Sequence, residues 1–389
     1  MQRAVACFIF GLAWTVSAQH VQESVREGRA PLRGVNLGSW LVVEYWMSKQ
    51  SPIWKDVPED VANGGEHRVM AYLGHDKGDA RFRAHRDSWI TAADIAEIAS
   101  YGLNTVRVPV GWWIMPEHST KEQVGNGEWK HFAPGALGYL DTLVNDWALR
   151  SNVSVLIDIH AAPGSQNGRD HSAAPILQDA QWTRQDCNIK RTLKVARFLA
   201  ARYRNSAAFL GLELLNEPEG NEATRQGVDR TKLQDYYRMA VSSIRQTGNN
   251  CVLVVSPLLT EQSPTATVWR DFLRQADVWL DWHKYLKWGF EGKRLPELAT
   301  KGVESITNDM AAWTGNALLI GEWSLGHPDS ADGDFADRNQ AMQFGANLVQ
   351  SVNNAKAGWT FWSWRADTGK PLGEGWCMRD LLRQGVLKL

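Results

Sequence analysis

The sequence predicts an eight-stranded parallel β/α barrel, an α/β fold built as a single domain. Eight short apolar runs alternate with amphipathic helical patterns along the chain, and this alternation is typical of a parallel sheet. Eight such runs, with the last near the C-terminus, favour a closed barrel over an open doubly wound sheet. Residues 19–389 contain no low-complexity stretch, charge block or Pro/Ser-rich linker that would separate two domains.

Each predicted strand is a run of aliphatic or aromatic residues that ends at a polar or turn-forming residue. In chain order the strands are Gly34–Leu37, Thr105–Val108, Val153–Ile159, Phe209–Leu215, Val252–Ser256, Val278–Trp282, Ala317–Ile320 and Gly358–Trp362. Each predicted helix has apolar residues at helical spacing, and the first opens with Thr91 as its cap and Asp94 in its first turn. The helices are Thr91–Tyr101, Gly135–Arg150, Ile189–Tyr203, Thr231–Thr247, Ser263–Gln275, Thr300–Thr314 and Arg338–Asn353.

One connection breaks this rhythm, because the residues from Leu41 to Ser88 separate the first strand from the first helix. A connection of that length usually carries its own structure and function. In a β/α barrel the loops that follow the strands form the active face. We therefore expect this segment to wall one side of a cleft on that face.

The N-terminus, Met1 to Ala18, has the pattern of a secretory signal peptide: Arg3, an apolar run, and the small residues Ser17-Ala18. The run is shorter than the ~20 residues that a bilayer span needs. We expect residues 19–389 to form the mature barrel, exported to the extracellular space or the cell wall. Cys187, Cys251 and Cys377 remain after cleavage; they allow at most one internal disulfide, and their spacing is unlike that of a zinc site.

The charge balance argues against nucleic acid or an anionic membrane as a partner, since 42 basic residues face 43 acidic ones. A neutral substrate fits better. The 20 Trp are unusual, and we interpret those assigned to loops as stacking platforms for sugar rings, with core packing as the alternative for any one of them. The Trp in question are Trp112, Trp113, Trp282, Trp288, Trp323, Trp362, Trp364 and Trp376.

Two glutamates carry the strongest functional signal. Glu217 follows the fourth apolar run in Leu215-Asn216-Glu217-Pro218, and Glu322 follows the seventh in Gly321-Glu322-Trp323. A strand end on a rigid sheet holds a carboxylate with little positional freedom. Two carboxylates across one bond are the minimal equipment for cleaving a glycoside. A helix cap or a solvated loop position is the alternative role for each.

Seven sequence blocks in order carry a family resemblance. They are Gly34-Val-Asn-Leu-Gly-Ser-Trp-Leu-Val-Val-Glu44, Gly102-Leu-Asn-Thr-Val-Arg-Val-Pro-Val-Gly-Trp112, Asp158-Ile-His-Ala-Ala-Pro-Gly-Ser-Gln-Asn-Gly168, Leu215-Asn-Glu-Pro218, His283-Lys-Tyr285, Gly321-Glu-Trp323 and Gly358-Trp-Thr-Phe-Trp-Ser-Trp364. Over residues 31–380 the chain resembles glycoside hydrolase family 5, and most closely its secreted exo-β-1,3-glucanase branch from fungi and oomycetes.

The resemblance implies a retaining mechanism with Glu322 as nucleophile and Glu217 as general acid/base. Retention requires carboxyl groups ~5–5.5 Å apart, against ~6.5–9.5 Å for inversion. We expect apolar or like-charged surroundings that raise the pKa of Glu217, and positive or hydrogen-bond-donating neighbours for Glu322. Arg107 matches the family arginine that supplies the positive charge, with a salt bridge at the barrel rim as its alternative.

Further site residues follow from the same resemblance. Asn216 is placed to bond the sugar 2-hydroxyl, and Trp362 matches the floor under the cleaved sugar; Trp364 is as well explained by core packing. His160, His283 and Tyr285 match the groups that orient the carboxylates and the ring. Asp158-x-His160 with His283 suggests a metal, but nothing else at ligand spacing accompanies them, so we expect no metal and no cofactor.

Exo action is implied by Glu44 and Asp170, which stand where the branch binds the hydroxyls of the terminal sugar; a helix cap or a rim charge is the alternative for Glu44. One departure concerns an aromatic clamp on the leaving-group sugar. Trp288 occupies one half of that clamp, but Arg169 stands where the branch has Phe, and His171 stands where a residue like Asn follows. We therefore expect an altered leaving-group preference or weaker transglycosylation.

The sequence thus predicts a monomeric hydrolase that releases glucose from the non-reducing end of β-1,3-glucan. An endo-acting or differently linked β-glycanase on the same residues is one alternative. A barrel that binds wall polysaccharide without catalysis is another, although both glutamates, Arg107 and Asn216 are present.

Overall fold

A computed structural model describes residues 19–116, 128, 130–221 and 226–389 of the chain. The predicted signal peptide, residues 1–18, lies outside the described residues. Within them, no helix combines the length and the apolarity that crossing a bilayer requires. Cys187, Cys251 and Cys377 are free.

Eight parallel strands close into a barrel in chain order, as predicted. They are β1 Leu32–Asn36, β2 Thr105–Gly111, β3 Ser154–Ala161, β4 Phe209–Glu213, β5 Val252–Val255, β6 Val278–His283, β7 Leu318–Trp323 and β8 Gly358–Phe361. Strand β8 pairs with β1 and completes the ring. Two short strands, Gly220–Asn221 and Gln226–Gly227, pair antiparallel outside the barrel.

Helices surround the barrel and fill the connections. They are α1 Val21–Arg26, α2 Glu59–Ala62, α3 Gly65–Trp89, α4 Ala92–Ser100, α5 Ala136–Thr142, α6 Ala148–Arg150, α7 Asp186–Tyr203, α8 Arg230–Arg245, α9 Leu295–Glu297, α10 Val303–Ala312, α11 Asp332–Phe335, α12 Arg338–Val352 and α13 Met378–Arg383, with π-helical turns at Leu143–Trp147 and Leu298–Gly302. The predicted start of α4 is confirmed, because Asp94 Oδ2 accepts a hydrogen bond from the Thr91 backbone N–H at 2.9 Å.

One predicted helix, Ser263–Gln275, is wrong. Short 3₁₀ turns, at Thr267–Trp269 and Arg274–Ala276, occupy that segment instead. The apolar spacing of Val268, Trp269 and Phe272 looks helical in the sequence. However, the backbone at Leu273 has a positive φ of 53°. This angle lies outside the right-handed helical region, so an α-helix cannot continue through the residue.

The interior of the barrel is divided into two levels by strand alternation. The lower level is apolar and includes Leu156, Trp279 and Leu319, which pack with Val25 of α1. Two residues further along β3 and β6, at Asp158 and Asp281, the inward side chains become acidic and fully buried. The polar site therefore sits on an apolar plug at the carboxyl ends of the strands.

Candidate active site

Glu217 is held at the end of a short loop that follows β4. Its backbone has φ 41°, a left-handed conformation that persists in a non-glycine residue only where the surroundings fix it. Here the loop after β3 supplies that restraint: Gln166 Nε2 donates to the Asn216 carbonyl at 2.9 Å, and Asn167 Nδ2 to the Glu217 carbonyl at 3.2 Å.

Glu322 reaches the site because the register of β7 shifts. Trp282 of β6 pairs with Ile320, but His283 pairs with Glu322, so Gly321 is an extra residue between the two pairs. A bulge of this kind re-aims the side chain that follows it. Glu322 is thereby turned into the barrel mouth beside His283, while its neighbour Trp323 packs into the outer core.

The two glutamates face one imidazole. His283 Nδ1 lies 2.7 Å from Glu217 Oε1 and 3.3 Å from Glu322 Oε2. A carboxylate oxygen of each glutamate and a ring nitrogen of His283 all lie within 4.8 Å of one another. This close approach of one oxygen from each carboxyl group is compatible with the ~5–5.5 Å separation of carboxyl groups that a retaining pair requires.

Glu322 has the donors that a charged nucleophile needs. Arg107 Nη1 donates to its Oε1 at 3.0 Å, and the Tyr285 hydroxyl donates to its Oε2 at 2.7 Å. Burial raises the pKa of Glu322, and the nearby Glu217 charge adds to that rise. The positive charges of His283 and Arg107 act in the opposite direction and favour the ionised form.

Arg107 lies inside the barrel, fully buried, and not on its rim. Besides Glu322, its Nε donates to Glu213 at 2.7 Å and its Nη2 to Asn216 Oδ1 at 2.8 Å, while Asp158 lies 3.3 Å away. The guanidinium thus links β2, β3, β4 and β7. Because Asn216 Oδ1 is held in this way, Nδ2 points elsewhere, and it is buried without a hydrogen-bond partner among the described residues.

His160 and Trp362 form a stacked pair next to the carboxylates. Their rings lie 5.5 Å apart at an interplanar angle of 8°. His160 Nδ1 is fixed by Asp158 Oδ2 at 2.6 Å. Both residues line the same cavity as Glu217 and Glu322, so the structure brings the sequence-predicted floor and orienting groups together.

That cavity has a volume of about 750 Å³ and also contains Glu44, Asp170 and Trp288. Glu44 is buried, and its Oε2 accepts a hydrogen bond from Trp46 Nε1 at 2.8 Å. Burial raises the pKa of Glu44 well above its usual value, and the charge of Asp170 raises it further. The two carboxyl groups are therefore close enough to repel each other when both are charged.

Four aromatic rings form a continuous wall of the cavity. Trp46 packs edge-on against Trp376 at 5.3 Å, and Trp376 lies 5.3 Å from Tyr285 and 6.0 Å from Trp288. Trp288 is 62% exposed, which leaves its ring open to a ligand.

The stacking interpretation of the Trp set is wrong for most of its members. Trp288, Trp362 and Trp376 line the cavity. The other five are buried in the core, where they cannot reach a sugar: Trp112, Trp113, Trp282, Trp323 and Trp364. Two of them lie on strands: the Trp282 ring of β6 packs on Trp313, and the Trp323 ring of β7 packs on Trp359 and Phe361 of β8.

The expected surroundings of Glu217 are also wrong. Burial alone would raise its pKa, as expected, but the hydrogen bond and the charge of His283, with His171 and His160 behind it, lower the pKa to about 2. Conversely, neighbouring carboxylates raise the pKa of His283 well above its usual value, against the effect of burial. Both shifts favour the imidazole of His283 as the holder of the proton between the two side chains.

The departures at Arg169 and His171 have structural consequences. Arg169 donates through Nε and Nη2 to Glu219 Oε2, at 3.1 and 2.9 Å, on the exposed side of the cavity. His171 Nε2 lies 3.7 Å from Glu217 Oε2. The position of the second aromatic side chain in the predicted clamp is thus taken by an arginine in an ion pair with Glu219.

Sequence reasoning missed Trp46 and the buried acids Glu213 and Asp281. The pattern Asp-x-His occurs on both β3 and β6, and a period of two places both side chains on one face of a strand. That repeated pattern was the available signal for Asp281.

Two groups of side chains bring three possible metal ligands within 4.8 Å: Glu213, Asp281 and His283, and Glu217, His283 and Glu322. Both ring nitrogens of His283 already lie at hydrogen-bond distance from carboxylates, Nδ1 from Glu217 at 2.7 Å and Nε2 from Asp281 at 2.9 Å. A cation in either group would have to replace one of those bonds.

Comparison with known proteins agrees with this geometry. The family model described as Cellulase (glycosyl hydrolase family 5) matches residues 70–368, more than half of the chain. The chain is 30% identical to a probable glucan endo-1,6-beta-glucosidase B from Neosartorya fischeri, covering 92% of this chain and 86% of that protein. It is 27% identical to a glucan 1,3-beta-glucosidase from Blumeria graminis, with the same coverage, 92% and 86%.

Among solved structures, the rutinosidase from Aspergillus niger superposes with a TM-score of 0.75 at 17% sequence identity, covering 92% of this chain and 98% of that one. At that identity the likeness concerns the fold, and it is the β/α barrel described above.

Proposed function

This chain belongs to glycosyl hydrolase family 5, and on that premise we propose that it hydrolyses β-glucan with retention of configuration. Glu322 acts as nucleophile and Glu217 as general acid/base. The observation that carries this proposal is the approach of the two carboxylates to within 4.8 Å around His283 at the barrel mouth. An anomeric carbon between them is within reach of both.

In the first half of the reaction, Glu322 attacks the anomeric carbon while Glu217 protonates the leaving oxygen; in the second half, Glu217 activates water. Arg107 and Tyr285 fix the attacking carboxylate through bonds of 3.0 and 2.7 Å. The unpartnered Nδ2 of Asn216 is a donor for the sugar 2-hydroxyl, an interaction that strengthens in the transition state. Trp362, with its ring stabilised by His160, supports the apolar face of the sugar.

We propose exo action on β-1,3-linked glucan, with release of glucose from the non-reducing end. The support is the pair Glu44 and Asp170 with Trp46 in the cavity, since carboxyl groups of this kind bind the hydroxyls of a terminal sugar and block longer chains. The relative from Blumeria graminis, named a glucan 1,3-beta-glucosidase, agrees with this linkage.

The second candidate is endo action on β-1,6-linked glucan. It is favoured by the name of the Neosartorya fischeri relative, a probable glucan endo-1,6-beta-glucosidase. Products separate the two candidates: glucose alone from laminarin supports the exo-1,3 proposal. A ladder of oligomers from a β-1,6-glucan, with laminarin untouched, replaces it.

Catalysis is tested by Glu322→Gln against an aryl β-glucoside. Loss of the nucleophile is expected to abolish turnover, a fall of roughly 10⁴-fold or more in kcat, while the melting temperature and laminari-oligosaccharide binding persist. Glu304→Gln, an exposed position on α10, is the matched control and should keep full activity. Wild-type turnover by Glu322→Gln would remove the residue from this role. A folded wild type with no glycosidase activity would instead support a polysaccharide-binding barrel.

The same proposal includes export of a monomer to the extracellular space or the cell wall, with residues 1–18 removed as a signal peptide and residues 19–389 forming the mature barrel. The N-terminal sequence of protein recovered from the culture medium tests this, because a start at or next to residue 19 is expected.

A further inference from the structure

Asp281 lies directly behind His283, where no substrate can reach it. It is fully buried on β6. Its Oδ1 accepts a hydrogen bond from the Gly321 backbone N–H at 2.6 Å, and its Oδ2 lies 2.9 Å from His283 Nε2. The carboxylate is packed so tightly on Gly321 that a Cβ built there would lie 2.3 Å from Asp281 Oδ2. The bulge that positions Glu322 therefore also accommodates Asp281.

This contact decides which tautomer His283 adopts. A carboxylate accepts hydrogen bonds and cannot donate one when ionised, so Asp281 requires a proton on Nε2. A neutral His283 then has a bare Nδ1, and that atom faces Glu217 Oε1 at 2.7 Å. The lone pairs of an unprotonated Nδ1 and an ionised carboxylate oxygen would repel each other at this distance. One proton must lie on the line between Nδ1 and Oε1.

We propose that Asp281 is a positioning residue for general-acid catalysis: by holding the proton on His283 Nε2, it makes His283 Nδ1 the donor that protonates Glu217. The proposal rests on the function proposed above and adds the route by which the acid obtains its proton.

The proton steps balance over one turnover. The resting site contains His283 as imidazolium with Glu217 and Glu322 as carboxylates. The Nδ1 proton moves to Glu217 Oε1 and then to the leaving oxygen, which keeps the electron pair of the broken C1–O bond, as Glu322 forms the new C1–O ester bond. Water then attacks C1, the ester electron pair returns to Glu322, and the water proton passes through Glu217 back to His283 Nδ1.

This route agrees with the low pKa of Glu217 and the high pKa of His283. The acid does not need an apolar pocket of its own if an adjacent imidazolium stores its proton. Several titratable or charged groups face the Glu217–His283 pair. They are Asp281 on β6, the strand of His283; Glu213 on β4; Glu322 on β7; Arg107 on β2; His160 at the end of β3; and His171 after it.

The alternative is that Asp281 only holds the backbone of Gly321. Leaving-group chemistry separates the two roles, because a good leaving group departs without protonation and a sugar does not. In Asp281→Asn the amide still accepts from Gly321 and, by donating to Nε2, moves the imidazole proton to Nδ1. A neutral Nδ1–H does not release its proton to a carboxylate.

The test is kcat/KM of Asp281→Asn on laminaribiose and on 2,4-dinitrophenyl β-glucoside. The expected result is a loss of roughly 10²–10⁴-fold on the disaccharide, the usual contribution of a general acid, and a change of only a few-fold on the activated substrate. An equal loss on both substrates, or no loss, would overturn the proposal. The control is Asp309→Asn, which removes the negative charge that pairs with Lys284 Nζ, next to His283 in sequence, and should leave both values unchanged.

A second measurement is made on the wild-type protein and does not depend on the folding of Asp281→Asn. In wild-type protein labelled with ¹⁵N-histidine, both ring nitrogens of His283 should be protonated at neutral pH, with the signal assigned by its loss in His283→Gln. A neutral His283 would overturn the proposal even if Asp281→Asn is insoluble. Failure of Glu322→Gln to lose activity would instead overturn the proposed function, so the two failures are distinguishable.

Discussion

Tyr285→Phe removes one hydrogen bond from the proposed nucleophile and preserves the ring. The Tyr285 hydroxyl donates to Glu322 Oε2 at 2.7 Å, and burial, with the charge of Glu322 close by, raises the pKa of that phenol well above its usual value. A hydrogen bond to a charged group contributes about 1.5–3 kcal/mol. The bond favours the carboxylate over the carboxylic acid, so its loss raises the pKa of Glu322.

At 1.36 kcal/mol per pKa unit, that free energy corresponds to a rise of about 1–2 units. The acid limb of the kcat/KM profile should therefore move upward by the same amount. At pH values below that limb, kcat/KM should fall by about 10–100-fold. At pH values above it the loss should be smaller, because both enzymes keep Glu322 ionised there.

The assay is kcat/KM on an aryl β-glucoside across the pH range in which the wild type stays folded. Tyr139→Phe is the matched control. It also removes a phenol that donates to a carboxylate, Asp87 at 2.5 Å, but neither residue lines the cavity. A Tyr285→Phe profile that superposes on that of the wild type would refute the reasoning. So would a uniform loss at every pH, which would indicate misplacement of Glu322 without a change in its protonation.

Glu44→Gln should raise KM on laminari-oligosaccharides or allow internal cleavage of laminarin, because it replaces the buried carboxyl group that accepts a hydrogen bond from Trp46; chromatography of early products checks this, and wild-type kinetics and products would contradict it. The pH dependence of stability should reflect His85, whose pKa is lowered to about 4 by burial and by the charges of Arg86 and Arg365. Since the folded protein resists protonation of this group, stability is fully present above pH ~6.5 and falls as the pH drops toward 4, by roughly 3 kcal/mol in total. His85→Gln should flatten that slope in urea unfolding measured at several pH values, and an unchanged slope would contradict the assignment.

The barrel was predictable because its signal is distributed and local. Each strand is an apolar run that ends at a polar residue, and an error of a few residues at one end does not change the count or the order of the strands. The wrong helix prediction for Ser263–Gln275 arose because a single backbone angle decided the structure of that segment. There the apolar spacing is helical, but the backbone at Leu273 has φ 53°, which the spacing of side chains does not reveal.

The site was predictable in its members and less so in its electrostatics. Glu217, Glu322 and Tyr285 fall at or just after strand ends and Arg107 lies within β2, so the fold brings them together as expected. The low pKa of Glu217 depends on imidazoles from two other strand ends, His160 with His171 and His283, and their distances exist only in three dimensions. The catalytic roles themselves stay predictions.

The misassigned Trp residues show the same limit. In the sequence, Trp282 directly precedes His283 and Trp323 directly follows Glu322, which suggested that both indoles also lie in the cavity. Successive side chains of a strand point in opposite directions. Because Trp282 and Trp323 are direct neighbours of His283 and Glu322, their indoles lie on the opposite face of the sheet, away from the cavity.

The segment between β1 and α4 has hydrogen bonds of its own and contacts the loop that follows β3. His85 of α3 contacts the Ser39 carbonyl at 2.6 Å and Ser51 Oγ at 2.9 Å, and Gly65 presses against the backbone of Asp170, leaving a Cβ there only 2.4 Å from its carbonyl oxygen. The same segment contributes Glu44 and Trp46 to the cavity, so these contacts also fix part of the cavity wall. A substitution that loosens the segment would therefore change the shape of the cavity while the restraints on Glu217 and Glu322 stay in place.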